Sequence, residues 1–384
     1  MVVSIHNPLQ ATTPTAPSET ASPSVMTGSA NRLDFEQALA LFRQADLLTL
    51  GMLAEQAKAR WHAANDPITF VIDRTVNYTN VCNVDCLFCA FYRHADAPDA
   101  YVLPYEVIAS KAQGLLDVGG TQLLLQGGVN PNLPFEYYTD LLRRLRSDFP
   151  TLTLHAFSPT EIAFMVELTG WSLSQVIAAL MEAGLDSIPG GGAEILHDEV
   201  RRKVSHKKVN SIDWLDVMEA AHGLGLRTTA TMMFGMVEKD WHIVDHLFKI
   251  RALQDRTGGF TAFIPWTFQK PNTKLEKLPL HTEATGVDYL RVLALSRIVL
   301  DNIANIQSSW LTPGMKLCQV GLHMGANDMG GLVLEENVVT EAGVRHEPKT
   351  LQDAVKLIHG MGRDAAQRDT AYRILKQFPQ SMGG

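Results

Sequence analysis

Cysteine is scarce in this chain: four in 384 residues. Three of them fall between Cys82 and Cys89, and Cys318 stands alone. That pattern excludes the disulfide framework of a secreted domain and points to metal or redox chemistry in a reducing compartment, so the cytoplasm is expected. Positive charge is short as well. The formal net charge is -8, which excludes the basic footprint of a nucleic-acid binder. The runs Arg143-Arg144, Arg201-Arg202-Lys203 and His206-Lys207-Lys208 do not reverse this and read as solvated faces or helix ends. Residues 1–31 hold no Lys or Arg at all, so neither a secretory signal nor a mitochondrial transit peptide is expected there. The stretch is rich in Ser, Thr, Pro and Ala without a period and reads as a disordered extension. Long apolar runs are missing too. The best, Tyr289 to Leu300, carries Arg291 and Arg297 and falls short of the roughly 18 apolar residues of a membrane helix. No membrane partner is expected.

What remains is an ordinary globular composition, 46% apolar and 19% charged. Residues Leu33 to Ala64 show helical periodicity and predict two short helices, so 32–66 is set apart from the main domain. From Ile68 a rhythm begins. Strand runs at Ile68–Ile72, Gln122–Gln126, Leu152–Ala156, Leu185–Ile188, Arg227–Phe234, Phe260–Pro265 and Asn305–Leu311 are separated by helical runs. A last strand near Ala326 follows a helix near Met315 to Met324. Alternation of this kind implies parallel βαβ units. Eight units over roughly 260 residues match a (β/α)8 barrel of the TIM type, expected here over 67–331. An open doubly wound sheet is the rival, but it would more usually show a Gly-rich turn after its first strand. Here that loop carries cysteines, and in a barrel it lies at the C-terminal face, where chemistry sits. A C-terminal helical extension is expected over 332–384, with helices at Leu351–His359 and Asp364–Phe378.

The loop reads Cys82-Asn83-Val84-Asp85-Cys86-Leu87-Phe88-Cys89, a C-x3-C-x2-C spacing. Three thiolates this close can ligate three corners of a 4Fe–4S cluster and leave the fourth iron open. S-adenosylmethionine (SAM) can chelate that iron through its amino and carboxylate groups. A zinc site would need a fourth ligand, such as Cys318 or His94, and usually two spaced pairs. A thioredoxin-like pair would use only Cys86 and Cys89. The spacing, the aromatic before the last cysteine and the place after a strand together favour the cluster. Cys318 reads as a small buried hydrophobe.

Other segments at the expected rim are candidates with plain alternatives. Gln126-Gly127-Gly128 lets a backbone approach a ligand such as SAM, or is an ordinary turn. Gly190-Gly191-Gly192 lacks the Lys-Ser/Thr of a phosphate loop, so a close backbone approach is preferred. Glu194 is a candidate ligand for SAM or substrate hydroxyls, or a helix-start charge. Ser158 and Glu161 have capping-box spacing. His155 is polar in an apolar strand and is a site candidate. Asn327-Asp328, framed by glycines, is a candidate for a polar substrate group, with a turn as the rival. His242 and His246 lack the companion Glu of a zinc motif and are assigned to the surface. Arg297, in an otherwise apolar stretch of helix, reads as a buried ion-pair member.

Together these stretches resemble the cyclic dehypoxanthinyl futalosine synthases of the futalosine route to menaquinone, a family of radical SAM enzymes. The matching segments include Asn77 to Asn83, Cys89 to Arg93, His155 to Pro159, Asp186 to Glu194, Thr231-Met232-Met233-Phe234-Gly235, Pro265-Trp266-Thr267-Phe268-Gln269 and Gly325 to Gly331. They cover about Ile68 to Gly331. The sequence departs from the family pattern at Val129 and Met236, where histidines would be expected. The resemblance implies a cluster on Cys82, Cys86 and Cys89, and SAM held by Phe88, Phe91, Gln126, Gly127, Gly128, Ser158 and Glu194. It implies substrate contact by Tyr78, Asn327 and Asp328, and a base that is His155 or, second, Glu161. It also implies a reducing partner of the flavodoxin or ferredoxin kind. The 5′-deoxyadenosyl radical would take hydrogen from the ribose C4′ of dehypoxanthine futalosine. The carbon radical would add to the benzoate ring, which then loses a proton and an electron. Aminofutalosine synthase and the deazaflavin-chromophore enzymes are the near alternatives, and a non-catalytic metal scaffold is the alternative of another class.

Overall fold

The computed structural model describes residues 32–278, 283–345 and 349–380. The extension expected over 1–31 lies outside them. From Arg32 onward the chain forms one compact unit. Two helices, Phe35–Gln44 and Leu47–Lys58, open it. Their caps are Asp34 and Asp46, whose carboxylates accept from the amides of Gln37 and Thr49 at 2.8 and 2.9 Å.

The strands are β1 (Ile68–Val71), β2 (Asp73–Val76), β3 (Gln122–Leu125), β4 (Thr153–Ala156), β5 (Ser187–Ile188), β6 (Arg227–Phe234), β7 (Phe260–Thr267), β8 (Asn305–Ile306), β9 (Asp328–Gly331), β10 (Ala365–Arg368) and β11 (Ile374–Phe378). Strands β2 to β8 form one parallel sheet in chain order. Strand β9 pairs with β1 and meets the far edge of that sheet. There the Ser308 amide donates to the Asp328 carbonyl at 2.8 Å and the Asn327 amide donates to the Ile306 carbonyl at 3.1 Å. Because only Ile72 separates β1 from β2, β9 closes the circle into the (β/α)8 barrel that the alternation predicts. Leu123, Leu125, Leu154, Ala156, Ile188, Ala230, Met232 and Phe263 are all buried in its core. Such near-continuous apolar strands are what a sheet covered on both faces requires.

Two expectations are corrected here. The segment Asp364–Phe378 is not helical. It is the antiparallel hairpin β10–β11, and β10 adds in parallel to β1, with Ile68 opposite Ala365. The C-terminal region therefore extends the barrel sheet, and of its two expected helices only Leu351–His359 forms. The Asn327-Asp328 pair, read as a rim site for a polar substrate group with a turn as the rival, instead enters the closing strand, since Asp328 begins β9. Among the described residues no single helix is long and apolar enough to cross a membrane. The helices Pro159–Thr169 and Leu173–Ala183 would pass only as a pair, bent by 106°, and their apolar residues Ile162, Met165, Val176, Ile177 and Leu180 are fully buried.

Candidate active site

The cysteine loop leaves the C-terminal end of β2 and is fixed by its own backbone. The Cys82 amide donates to the Arg93 carbonyl at 2.9 Å, the Asn83 amide to Val129 at 3.1 Å and the Leu87 amide to Val204 at 2.8 Å. Arg93 gathers the end of the loop, its guanidinium donating to the carbonyls of Ala90, Phe91 and Tyr92 at 3.0 to 3.1 Å. Asp85 sits in the left-handed region at φ 56°, which turns the chain between Cys82 and Cys86. None of the three is in a disulfide. Burial pushes Cys86 up to about 12 and raises Cys82 and Cys89. Burial alone does not mark them as ligands, since it pushes the core Cys318 thiol up to about 12 as well; what sets the three apart is that they line one cavity together as a donor set. With the C-x3-C-x2-C spacing, that set fits a 4Fe–4S cluster with one open iron.

The loop forms one wall of a cavity at the C-terminal mouth of the barrel. Phe88, Phe91, Gln126, Gly127, Gly128, Ser158, Glu161 and Glu194 all border it together with the three cysteines. Gly128 must be glycine, since a Cβ there would overlap the Val81 carbonyl oxygen and lie 2.8 Å from the Cys82 Cβ. Gly128→Ala is expected to cost about 1–3 kcal/mol of overpacking and to lower the iron held per chain. Full iron loading with unchanged melting would overturn this.

Ser158 and Glu161 form the predicted capping box of the helix Pro159–Thr169. Glu161 does more than cap. Its Oε2 accepts from the Ser158 amide and hydroxyl, both at 2.7 Å, and its Oε1 accepts from the Tyr78 hydroxyl at 2.5 Å and the Gly127 amide at 3.1 Å. One buried carboxylate thus ties together three rim segments. Burial raises its pKa against the pull of these four donors.

Glu194, at φ 40°, accepts from Lys208 Nζ at 2.8 Å and lies 3.9 Å from Arg201. Arg201 is buried and staples the following loop, donating to the carbonyls of Ala193 at 2.7 Å and Val209 at 2.9 Å. Burial lowers Lys208, but Glu194 and Cys86 outweigh it and leave the pKa raised, so the ammonium stays charged 5.3 Å from the Phe88 ring centre. Arg201 and Lys208 belong to basic runs read from sequence as solvated; the structure buries Arg201 and leaves Lys208 only partly exposed.

Several expected site residues do not border the cavity. Tyr78 is fully buried beneath Glu161. Asn327 is consumed by Arg297 and Asn305, and Asp328 by Arg368 and Thr69. His155 is enclosed within the barrel, and burial together with the charge of Arg368 pushes its pKa to about 3. Arg297 is buried as expected, but its partners are the carbonyls of Gly325, Ile303 and Ala304 and the Asn327 side chain, with no carboxylate in the set. His242 and His246, assigned to the surface, are buried in the structure. His242 lies beside His197 and Glu199 in a group of metal-ligand type. Its Nδ1 accepts from the Lys239 amide, and His197 Nδ1 accepts from the Glu199 amide. Each ring therefore carries its proton on Nε2 and has no lone pair there for a metal.

Glu336 was missed. It borders the cavity just past the C-terminal end of β9, and a carboxylate past the end of a barrel strand is the signal that could have found it.

A parallel barrel with a cavity at its C-terminal mouth and a three-cysteine loop after its first strand defines a radical SAM enzyme, whose cofactors are a 4Fe–4S cluster and SAM. The radical SAM superfamily model matches residues 76–250, and the model of the CofH/MqnC C-terminal region matches residues 257–381. The solved structure of methylornithine synthase (PylB) shares the fold with a TM-score of 0.68 at 16% identity, over 87% of this chain and 94% of that one. A cyclic dehypoxanthine futalosine synthase of Halalkalibacterium halodurans is 45% identical over 90% of this chain and 92% of the relative. A 5-amino-6-(D-ribitylamino)uracil–L-tyrosine 4-hydroxyphenyl transferase of Methanothermobacter thermautotrophicus is 39% identical over 86% and 90%. The chain belongs to the radical SAM superfamily and, within it, to the family of the cyclic dehypoxanthine futalosine synthases.

Proposed function

We propose that this protein is a radical SAM cyclase that converts dehypoxanthine futalosine to its cyclic form on the route to menaquinone. The observation that carries this reading is the 45% identity to a cyclic dehypoxanthine futalosine synthase over nine tenths of both chains. Cys82, Cys86 and Cys89 hold the cluster. When bound, the cluster and SAM supply a 5′-deoxyadenosyl radical. The turn Gln126–Gly128, Ser158, Glu194 and the aromatic rings of Phe88 and Phe91 position SAM. Lys208 pairs with Glu194 and fixes its place in the cavity wall. Trp266 and Phe268, from the far wall of the cavity, keep water from the reacting carbon. A small one-electron donor of the flavodoxin or ferredoxin kind reduces the enzyme in the cytoplasm.

The test is anaerobic turnover with reductant, SAM and dehypoxanthine futalosine, followed by mass. Free 5′-deoxyadenosine with a product two hydrogens lighter than the substrate is expected. An adduct that retains the adenosyl group would replace the cyclase with an aminofutalosine-type synthase. Intact SAM beside a full cluster would sink both.

A further inference from the structure

Three carboxylates border the cavity among the described residues: Glu161, Glu194 and Glu336. Both oxygens of Glu161 are filled by the four donors described above. Glu194 accepts from Lys208 through Oε1, and its Oε2, which makes no hydrogen bond, faces Arg201 at 3.9 Å, so this carboxylate sits between two cations. Glu336 has no ion pair among the described residues and is held differently. Its Oε1 accepts from the consecutive amides of Val338 and Val339, at 2.6 and 3.1 Å, which fixes the carboxyl in place. Its Oε2 makes no hydrogen bond among the described residues. One oxygen is anchored, the other makes no hydrogen bond, and the residue borders the cavity, the arrangement a proton acceptor needs.

From this geometry we propose that Glu336 is the general base that takes the ring proton when the cyclised product regains aromaticity. The proposal rests on the cyclase reading. After the ribose carbon radical has added to the ring, the C–H bond at the attacked carbon breaks and its proton passes to Glu336 Oε2. The pair from that bond re-enters the ring and leaves an arene radical anion. This is oxidised by one electron, and a one-electron acceptor of the iron–sulfur class is reduced. Burial, against the pull of the two amides and reinforced by Asp73 and Glu335, pushes the Glu336 carboxyl up to about 6. Its basicity therefore lies closer to neutral than an ordinary carboxylate's. The charges facing it are Asp73 on β2 and Glu335 in its own segment, the latter held by Lys111 and Arg74.

The test compares wild type with E336Q, both cluster-loaded, in product formed per 5′-deoxyadenosine released. The glutamine oxygen can still accept from both amides, so iron loading and 5′-deoxyadenosine release should persist. The ratio should fall by about a hundredfold, and a ring-centred radical should accumulate by electron paramagnetic resonance. An unchanged ratio with no radical signal would overturn the assignment. Wild type gives an independent reading: the ratio should rise with pH to a plateau, half-maximal near pH 6, because only the ionised carboxylate accepts the proton. A ratio flat from about pH 5 to 8 would overturn the assignment even if the variant does not fold. Wild type that releases 5′-deoxyadenosine but never makes the lighter product would remove the cyclase reading and this role with it.

Discussion

Cys86→Ala is expected to abolish SAM cleavage while leaving the barrel folded. Cys86 is the most deeply set of the three thiols at 8% exposure, packed with Val84 and Val129 against Phe88 and Phe164. The loop that carries it is held by backbone hydrogen bonds to Val129 and Val204, not by the sulfur, so loss of the thiol removes a ligand without dissolving the loop. With two cysteines left, a second iron lacks a protein ligand and the cluster is not retained. The measurement is iron per chain, absorbance near about 400 nm, and 5′-deoxyadenosine by mass. All three are expected at background, with circular dichroism unchanged. Cys318→Ala is the control. Cys318 is fully buried and its thiol donates to the Ser308 carbonyl at 3.1 Å, so its loss touches packing and leaves the cluster intact. A full cluster in Cys86→Ala, or an empty one in Cys318→Ala, would overturn the ligand assignment.

The second large effect is on stability. Arg368→Met should destabilise the protein by about 3–5 kcal/mol, because removing one partner strands a buried charge. Arg368 reaches from β10 to grip Asp328 at the start of β9 with two bonds, 2.5 and 2.9 Å long. The side chains are 2% and 0% exposed. Asp328 also accepts from Thr69 on β1 at 2.5 Å and from the Gly330 amide at 2.7 Å. The guanidinium lies 3.8 Å from the centre of the Tyr372 ring. The pair thus locks together the strand that closes the barrel, the strand that begins it and the C-terminal hairpin. The denaturant midpoint reads the loss. Pairing Arg368→Met with Asp328→Leu should recover much of it, since the stranded charge is gone. If the single variant melts like wild type, the pair does not hold the barrel closed.

The residues that sequence placed correctly are those whose role depends on near neighbours in the chain. Cys82, Cys86 and Cys89 are legible because a cluster constrains its ligands to one loop. The Ser158–Glu161 cap is legible because a helix brings residues three apart into contact. The β/α rhythm is legible because each unit carries its own periodicity. The chain's remaining choices depend on partners far away in sequence. Asp364–Phe378 holds residues that suit a helix, and it becomes a hairpin because β1 offers an open edge to pair with. Arg201 and Lys208 stand in basic runs, and they are drawn in from solvent only because Glu194, Val209 and the cysteine loop close around them. Asn327 and Asp328 look like rim residues until Arg297 and Arg368, from a helix and a strand outside that segment, occupy them. Glu336 has no local mark beyond its place after a strand. The sequence by itself therefore determined the barrel and the cluster ligands. Only the tertiary structure decided which charges face the cavity, because closing the barrel creates that cavity, and the price of burying a charge is set by what lies across it.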